Sequence, residues 1–138
     1  MLKRYLLAVA GLFIIWSILD FVIHILIPGA SYKATAQLWR PMGEMKISLL
    51  YCVTIVCATA FTLIYGKFFA IKNIGTGLKY GLAFGIASGF SMGYGAFAIM
   101  PIPYNIADTW FWGMMAKGAV GGLLLGLIFK NDGGESDD

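Results

Sequence analysis

The chain has 138 residues, 59% of hydrophobic type and only 12% charged, with a mean hydropathy of +0.80. Soluble domains are about half apolar and about a quarter charged. The proportions therefore exclude an ordinary water-soluble domain, a disordered chain and a secreted disulfide scaffold. The expected fold is all-α: an integral membrane bundle of four transmembrane helices with glycine-zipper packing, spanning residues 1–130. Lys plus Arg number 10 and Asp plus Glu 7, a net +3. Asp132, Glu135, Asp137 and Asp138 crowd the end, which reads as a flexible acidic cytoplasmic tail over 131–138. The remaining basic excess suits membrane-flanking side chains. With no basic run and no stacking pattern, nucleic acid is not expected as a partner.

The first apolar run, 5–27, is broken only by Asp20 and His24 and ends at Pro28-Gly29. Lys3-Arg4 and Ala34-Thr35-Ala36 mimic a signal peptide, but the run is too long and the small-residue site too far beyond it, so a retained helix is expected. The other runs are 47–66, 80–100 and 109–129, flanked by Lys46, Lys67, Lys79 and Lys130. Each is about 20 residues, the length a helix needs to cross roughly 30 Å of hydrocarbon. The alternation of barrel strands is absent. Four spans put Lys3, Arg4, Lys67, Lys72, Lys79 and Lys130 on one side and Lys33, Arg40 and Lys46 on the other. The expected location is a bacterial inner membrane, multi-pass, with both termini cytoplasmic.

Between the first two runs, Ser31 could cap a short helix that Pro41 limits, with Tyr32, Thr35, Ala36 and Trp39 on one face. Trp110 and Trp112 extend the same aromatic belt. In the second run, Cys52 and Cys57 are five apart and point to different faces, as two buried free thiols would. In the third, Gly77, Gly81, Gly85, Gly89 and Gly93 recur every fourth residue, and Gly118, Gly122 and Gly126 repeat the spacing in the fourth. Such stripes let helix backbones approach closely, against another span or a second copy of the chain.

Asp20, His24 and Lys117 are the residues out of place in apolar runs. Counted inward from the run ends at 1.5 Å per residue, Asp20 and Lys117 lie at a common depth, roughly 10–12 Å below the boundary. Asp20 is the one acid inside the predicted spans and the natural partner for Lys117; His24, four residues on, shares its face. Gly113 and Gly121 flank Lys117 and would let another helix reach it. Arg40 and Glu44 stand just outside the second span and could complete a polar cluster. Asp20, His24 and Glu44 could in principle ligate a metal, but one histidine without a second nitrogen or thiolate argues against it. No metal or cofactor is expected.

Several segments carry a resemblance: Asp20-Phe21-Val22-Ile23-His24, the stretch 32–42, Glu44-Met45-Lys46, Ser91-Met92-Gly93-Tyr94-Gly95 and Met100-Pro101-Ile102-Pro103-Tyr104. In these the chain resembles small uncharacterised bacterial four-span inner-membrane proteins, a group that supplies no activity or site residue. Its size and span count are also similar to small multidrug-resistance transporters and fluoride channels. The former place an essential Glu within their first span, where this chain has Asp20 much later, and no fluoride-channel signature is found.

No nucleophile elbow, phosphate loop or zinc-protease motif occurs. The expected role is non-catalytic, an accessory or assembly component in a homodimer or larger membrane complex. The alternative is a small transporter or proton-coupled carrier using Asp20 and Lys117, and a third reading is a membrane enzyme.

Overall fold

The structure is a computed structural model that describes residues 1–130; the expected acidic tail lies outside the described residues. Their regular structure is entirely helical, with no strand among them. Helix α1 (Leu2–Phe21) continues through one wide π turn, Val22–Leu26. A connection holding α2 (Gly29–Ala34) and two single 3₁₀ turns leads to α3 (Ile47–Phe68). Helix α4 (Ile74–Gly89) passes through a second π turn, Phe90–Gly95, into α5 (Ala96–Ile99), and α6 (Tyr104–Ile128) closes the fold. Four stretches are long and apolar enough to cross a membrane: Leu2–Leu26, Ile47–Phe68, Ile74–Ile99 and Tyr104–Ile128.

Local chemistry sets the boundaries, and two of them differ from those the hydropathy suggests. Asn73 caps α4, its Oδ1 accepting from the Thr76 amide at 2.8 Å, so the third helix starts six residues before residue 80. Pro103 immediately precedes α6, which begins at Tyr104 and thus includes Asp108. Asp20 is therefore not the one acid in these helices. Pro28 has no N–H to offer the His24 carbonyl. The chain widens before it, the Ile27 amide reaching back to the Val22 carbonyl at 3.1 Å. Ser31 lies inside α2 and does not cap it; Pro28 holds the cap position, with no side-chain cap bond.

Neighbouring helices run antiparallel. Tyr5 meets the Gly66 position on α3, and Ile23 meets that of Gly113 on α6. Residues 27–46 and 100–103 consequently share one end of the bundle, called here the loop end. The termini end holds Ala8, Leu12, Trp16, Ala58, Phe61, Tyr65, Leu125 and Phe129 in one buried cluster. There Phe61 stacks on Tyr80 at 4.5 Å, and the hydroxyls of Tyr80 and Tyr65 donate to the carbonyls of Phe61 and Asn73, both at 3.0 Å. A smaller cluster, Ile102, Ile106 and Ala107, lies under Tyr32, Trp39 and Trp110 at the loop end.

The first half of α3 packs little. Cys52 and Cys57 are exposed there, not buried, because α3 meets α1 and α4 mainly through its second half.

Helices α4 and α6 lie backbone to backbone. A methyl on Gly81 would overlap the Gly118 carbonyl oxygen, and one on Gly77 the Gly122 carbonyl. One on Gly85 would sit 2.9 Å from the Met114 carbonyl oxygen, and one on Gly126 2.7 Å from the Ile74 Cα. Backbone cannot swing aside as a side chain does. Gly81→Ala should therefore destabilise the fold by about 1–3 kcal/mol. Gly43→Ala, where nothing lies within 4 Å, should be near neutral. Thermal unfolding in detergent compares the two; equal midpoints would contradict this packing.

Candidate functional site: an ion pair and aromatic cluster at the loop end

Lys117 lies on α6 between Gly113 and Gly121, and both glycines serve α1. A Cβ at Gly113 would lie 2.7 Å from Ile23, and one at Gly121 3.0 Å from Leu12 and 3.1 Å from the Trp16 indole nitrogen. The lysine thereby comes within reach of α1 without being held off by bulk. Its Nζ donates to Asp20 Oδ1 at 2.7 Å and sits 5.4 Å from the Trp16 ring centre. The Trp16 Nε1 donates to the Lys117 carbonyl at 2.9 Å. The ammonium and the carbonyl of one residue are both engaged by α1.

Asp20 is shared. The same Oδ1 lies 3.9 Å from His24 Nε2. On the other side of the ring, His24 Nδ1 is 3.2 Å from the Tyr32 hydroxyl, which accepts from Trp110 Nε1 at 2.7 Å. With its oxygen taken by Trp110, the phenol has its proton to give to Nδ1. A neutral ring then carries its own proton on Nε2, toward Asp20. The chain of contacts Lys117–Asp20–His24–Tyr32–Trp110 starts and ends on α6. Exposure divides along it: the Lys117 side chain is 12% exposed, whereas those of Asp20 and His24 are 31% and 32% exposed.

The loop folds over this chain. Trp39 packs edge-on against Tyr32 at 4.9 Å and faces Trp110 at 6.1 Å. Its indole donates to the Thr35 hydroxyl at 3.0 Å, and that hydroxyl donates to the Ser31 carbonyl at 2.8 Å. Asn105 donates to the Ser31 hydroxyl at 2.5 Å, tying the loop to the start of α6. Burial pushes the Tyr32 phenol above its ordinary value of 10, with the Trp110 hydrogen bond pulling the other way.

Of the five residues proposed from sequence for a polar cluster, the structure brings together Asp20, His24 and Lys117. Arg40 and Glu44 are exposed on the loop, and neither has an ion-pair partner within 4 Å among the described residues. Sequence reasoning missed the polar roles of Tyr32, Trp110 and Trp16, which pair across about 80 to 100 residues with no local signal. It also missed the second pair at this end, in which the Tyr94 hydroxyl of the second π turn donates to Asp108 Oδ1 at 3.1 Å. Pro103, read as the residue before a first helical turn, would have placed Asp108 on α6. Among the described residues, no group of three or more His, Cys, Asp or Glu is arranged to hold a metal ion. Comparison with family models, curated proteins and solved structures finds no match for the chain.

Removing the carboxylate should strand the Lys117 ammonium. Asp20→Asn is expected to cost on the order of 2–3 kcal/mol, and Asp20→Asn combined with Lys117→Met should recover most of it. A double-mutant cycle on unfolding in detergent measures the coupling; additive losses would deny the pair its structural role. The phenol gives a pH dependence. Because folding raises the Tyr32 value, its contribution to stability is complete below pH 10 and is lost as pH climbs through the raised value. Phenolate absorbance of the Tyr32→Phe variant should lack one late-titrating tyrosine relative to the parent.

Proposed function

We propose that the chain is a multi-pass protein of a bacterial inner membrane, non-catalytic, acting as an accessory or assembly component. Both termini face the cytoplasm and the loop end faces outward. Four helices of crossing length support the membrane assignment, and the excess of Lys and Arg at the termini end supports the orientation. The backbone-to-backbone approach of α4 and α6 supports a glycine zipper within the chain, where close contact replaces the hydrophobic drive that lipid removes. The resemblance to small inner-membrane proteins points to the same compartment.

One observation carries the non-catalytic role: Lys117, near the middle of α6, is consumed by Asp20 at 2.7 Å, and its carbonyl accepts from Trp16. A charge so held serves to set α1 against α6. The carrier reading draws on a different observation. Asp20 and His24 are each about one-third exposed and linked through Tyr32 to the loop, so a proton could reach them from that side.

Reconstitution separates the two. Liposomes holding the protein and an internal pH dye should pass protons under an imposed pH gradient no faster than protein-free liposomes. Cross-linking in native membranes should yield a partner of fixed, larger mass. Proton flux above the protein-free level, lost in a folded Asp20→Asn variant, would replace this reading with the carrier.

A further inference from the structure

A second polar feature at the loop end plays no part in the ion-pair chain. Between Trp39 and the first turn of α3 lies a cleft of about 360 Å³, walled by Trp39, Arg40, Met45, Lys46, Leu49 and Leu50. Its composition is sharply divided. Arg40 and Lys46 are its charged groups, both exposed, and neither makes an ion pair among the described residues; Glu44, between them in sequence, neutralises neither. Below them the wall is apolar and bare: Met45, Leu49 and Leu50 are exposed, and the α3 surface continues through the exposed Val53 and Val56. Helix α3 also begins here with no side-chain cap and no acid in its first turn, which adds potential of the same sign.

We propose that this cleft binds an anionic glycerophospholipid, with the phosphate between Arg40 and Lys46 and an acyl chain laid along Leu49 and Leu50. The proposal rests on the reading that the four helices cross a bilayer. It is independent of what Asp20 and Lys117 do. Two unneutralised cations at one cleft attract an anion, and the guanidinium fork suits phosphate oxygens. The apolar wall directly beneath selects an anion that carries hydrocarbon. A free phosphate would leave that wall empty, and an acidic peptide would need polar partners it does not offer. Trp39, whose indole proton is already taken by Thr35, lines the site with its ring, as suits a residue at headgroup level.

The full-length protein in an uncharged detergent can be titrated with dioleoylphosphatidylglycerol, dioleoylphosphatidylcholine or inorganic phosphate, and bound adducts counted by native mass spectrometry. The phosphatidylglycerol adduct should form about 30-fold more tightly than the phosphatidylcholine one, as expected of two cations at an anionic headgroup. Arg40→Gln with Lys46→Gln should bring the two lipids level, while Lys33→Gln leaves the preference intact. Equal binding by the parent, a preference that survives the double substitution, or displacement of the lipid by phosphate alone at comparable concentration would each overturn the proposal. If the double variant does not fold, the parent still decides. Phosphatidylglycerol with brominated chains should quench tryptophan emission more than its phosphatidylcholine counterpart, and Trp39→Phe should abolish the difference; equal quenching overturns the site. Failure of the membrane reading is seen separately, as release of the chain from carbonate-washed membranes into the supernatant.

Discussion

The pairing of Lys117 with Asp20 is the constraint around which the helices are arranged. An ammonium carried thirteen residues into α6 needs an anion within reach, and the chain supplies one on α1. That single contact fixes the rotation of α1 about its axis, since Asp20 can reach Nζ only with Leu12, Trp16 and Ile23 turned toward α6. The glycines make the contact affordable. With bulk at 113 or 121, α1 would stand off and the lysine would be stranded. Charge and small residues on α6 thus encode one requirement together, and neither would specify the packing alone.

Helix α6 serves two partners at once. Gly113, Lys117 and Gly121 face α1, while Gly118, Gly122 and Gly126 face α4. The two sets interleave along the same helix, so α6 is the element to which the rest is fitted. Toward the loop end the polar contacts return to it: Trp110 is seven residues, two turns, before Lys117 and on the same face. The ion pair, the histidine in its π turn and the tyrosine of the connection therefore close a ring across α1, the loop and α6. The widened turn before Pro28 carries His24 in that ring, so the backbone irregularity coincides with the polar contact.

Much of this was legible in the chain itself. Hydropathy located four helices because length and apolarity are summed over about 20 residues and survive local error. The depth count behind the Asp20–Lys117 pairing started from residue 109, whereas α6 starts at Tyr104; what carried the pairing is that an ammonium in apolar surroundings needs an anion. The grouping of Arg40 and Glu44 with them had no such constraint: loop residues have water to solvate them and need no partner. Cys52 and Cys57 were misjudged for a related reason. Apolar surroundings in sequence do not distinguish a face toward protein from one toward lipid when both are equally apolar. Asp108 was lost to a boundary drawn where the charge fell, whereas Pro103 determines where the helix begins. The Tyr32–Trp110 bond depends on how a loop folds back over helices 78 residues away, which no local pattern reports.

Helix α3 has the uneven packing expected of a helix in lipid, where the hydrophobic drive is absent. Its second half is held by stacked aromatic rings, Phe61 and Tyr65 against Tyr80, with tyrosine hydroxyls spending their protons on backbone carbonyls. Its first half makes an aromatic contact, Phe13 against Tyr51 at 5.9 Å, and presents apolar side chains outward. In water that surface would collapse onto the bundle or onto another chain. Against lipid it costs nothing to leave bare, because tails solvate leucine as well as leucine does. The same indifference does not extend to charge. Lys117 sits among apolar helices and is neutralised by the chain, whereas Arg40 and Lys46 stand where α3 begins and are not. On the proposed reading, the surrounding lipid and not the protein supplies the counter-charge there.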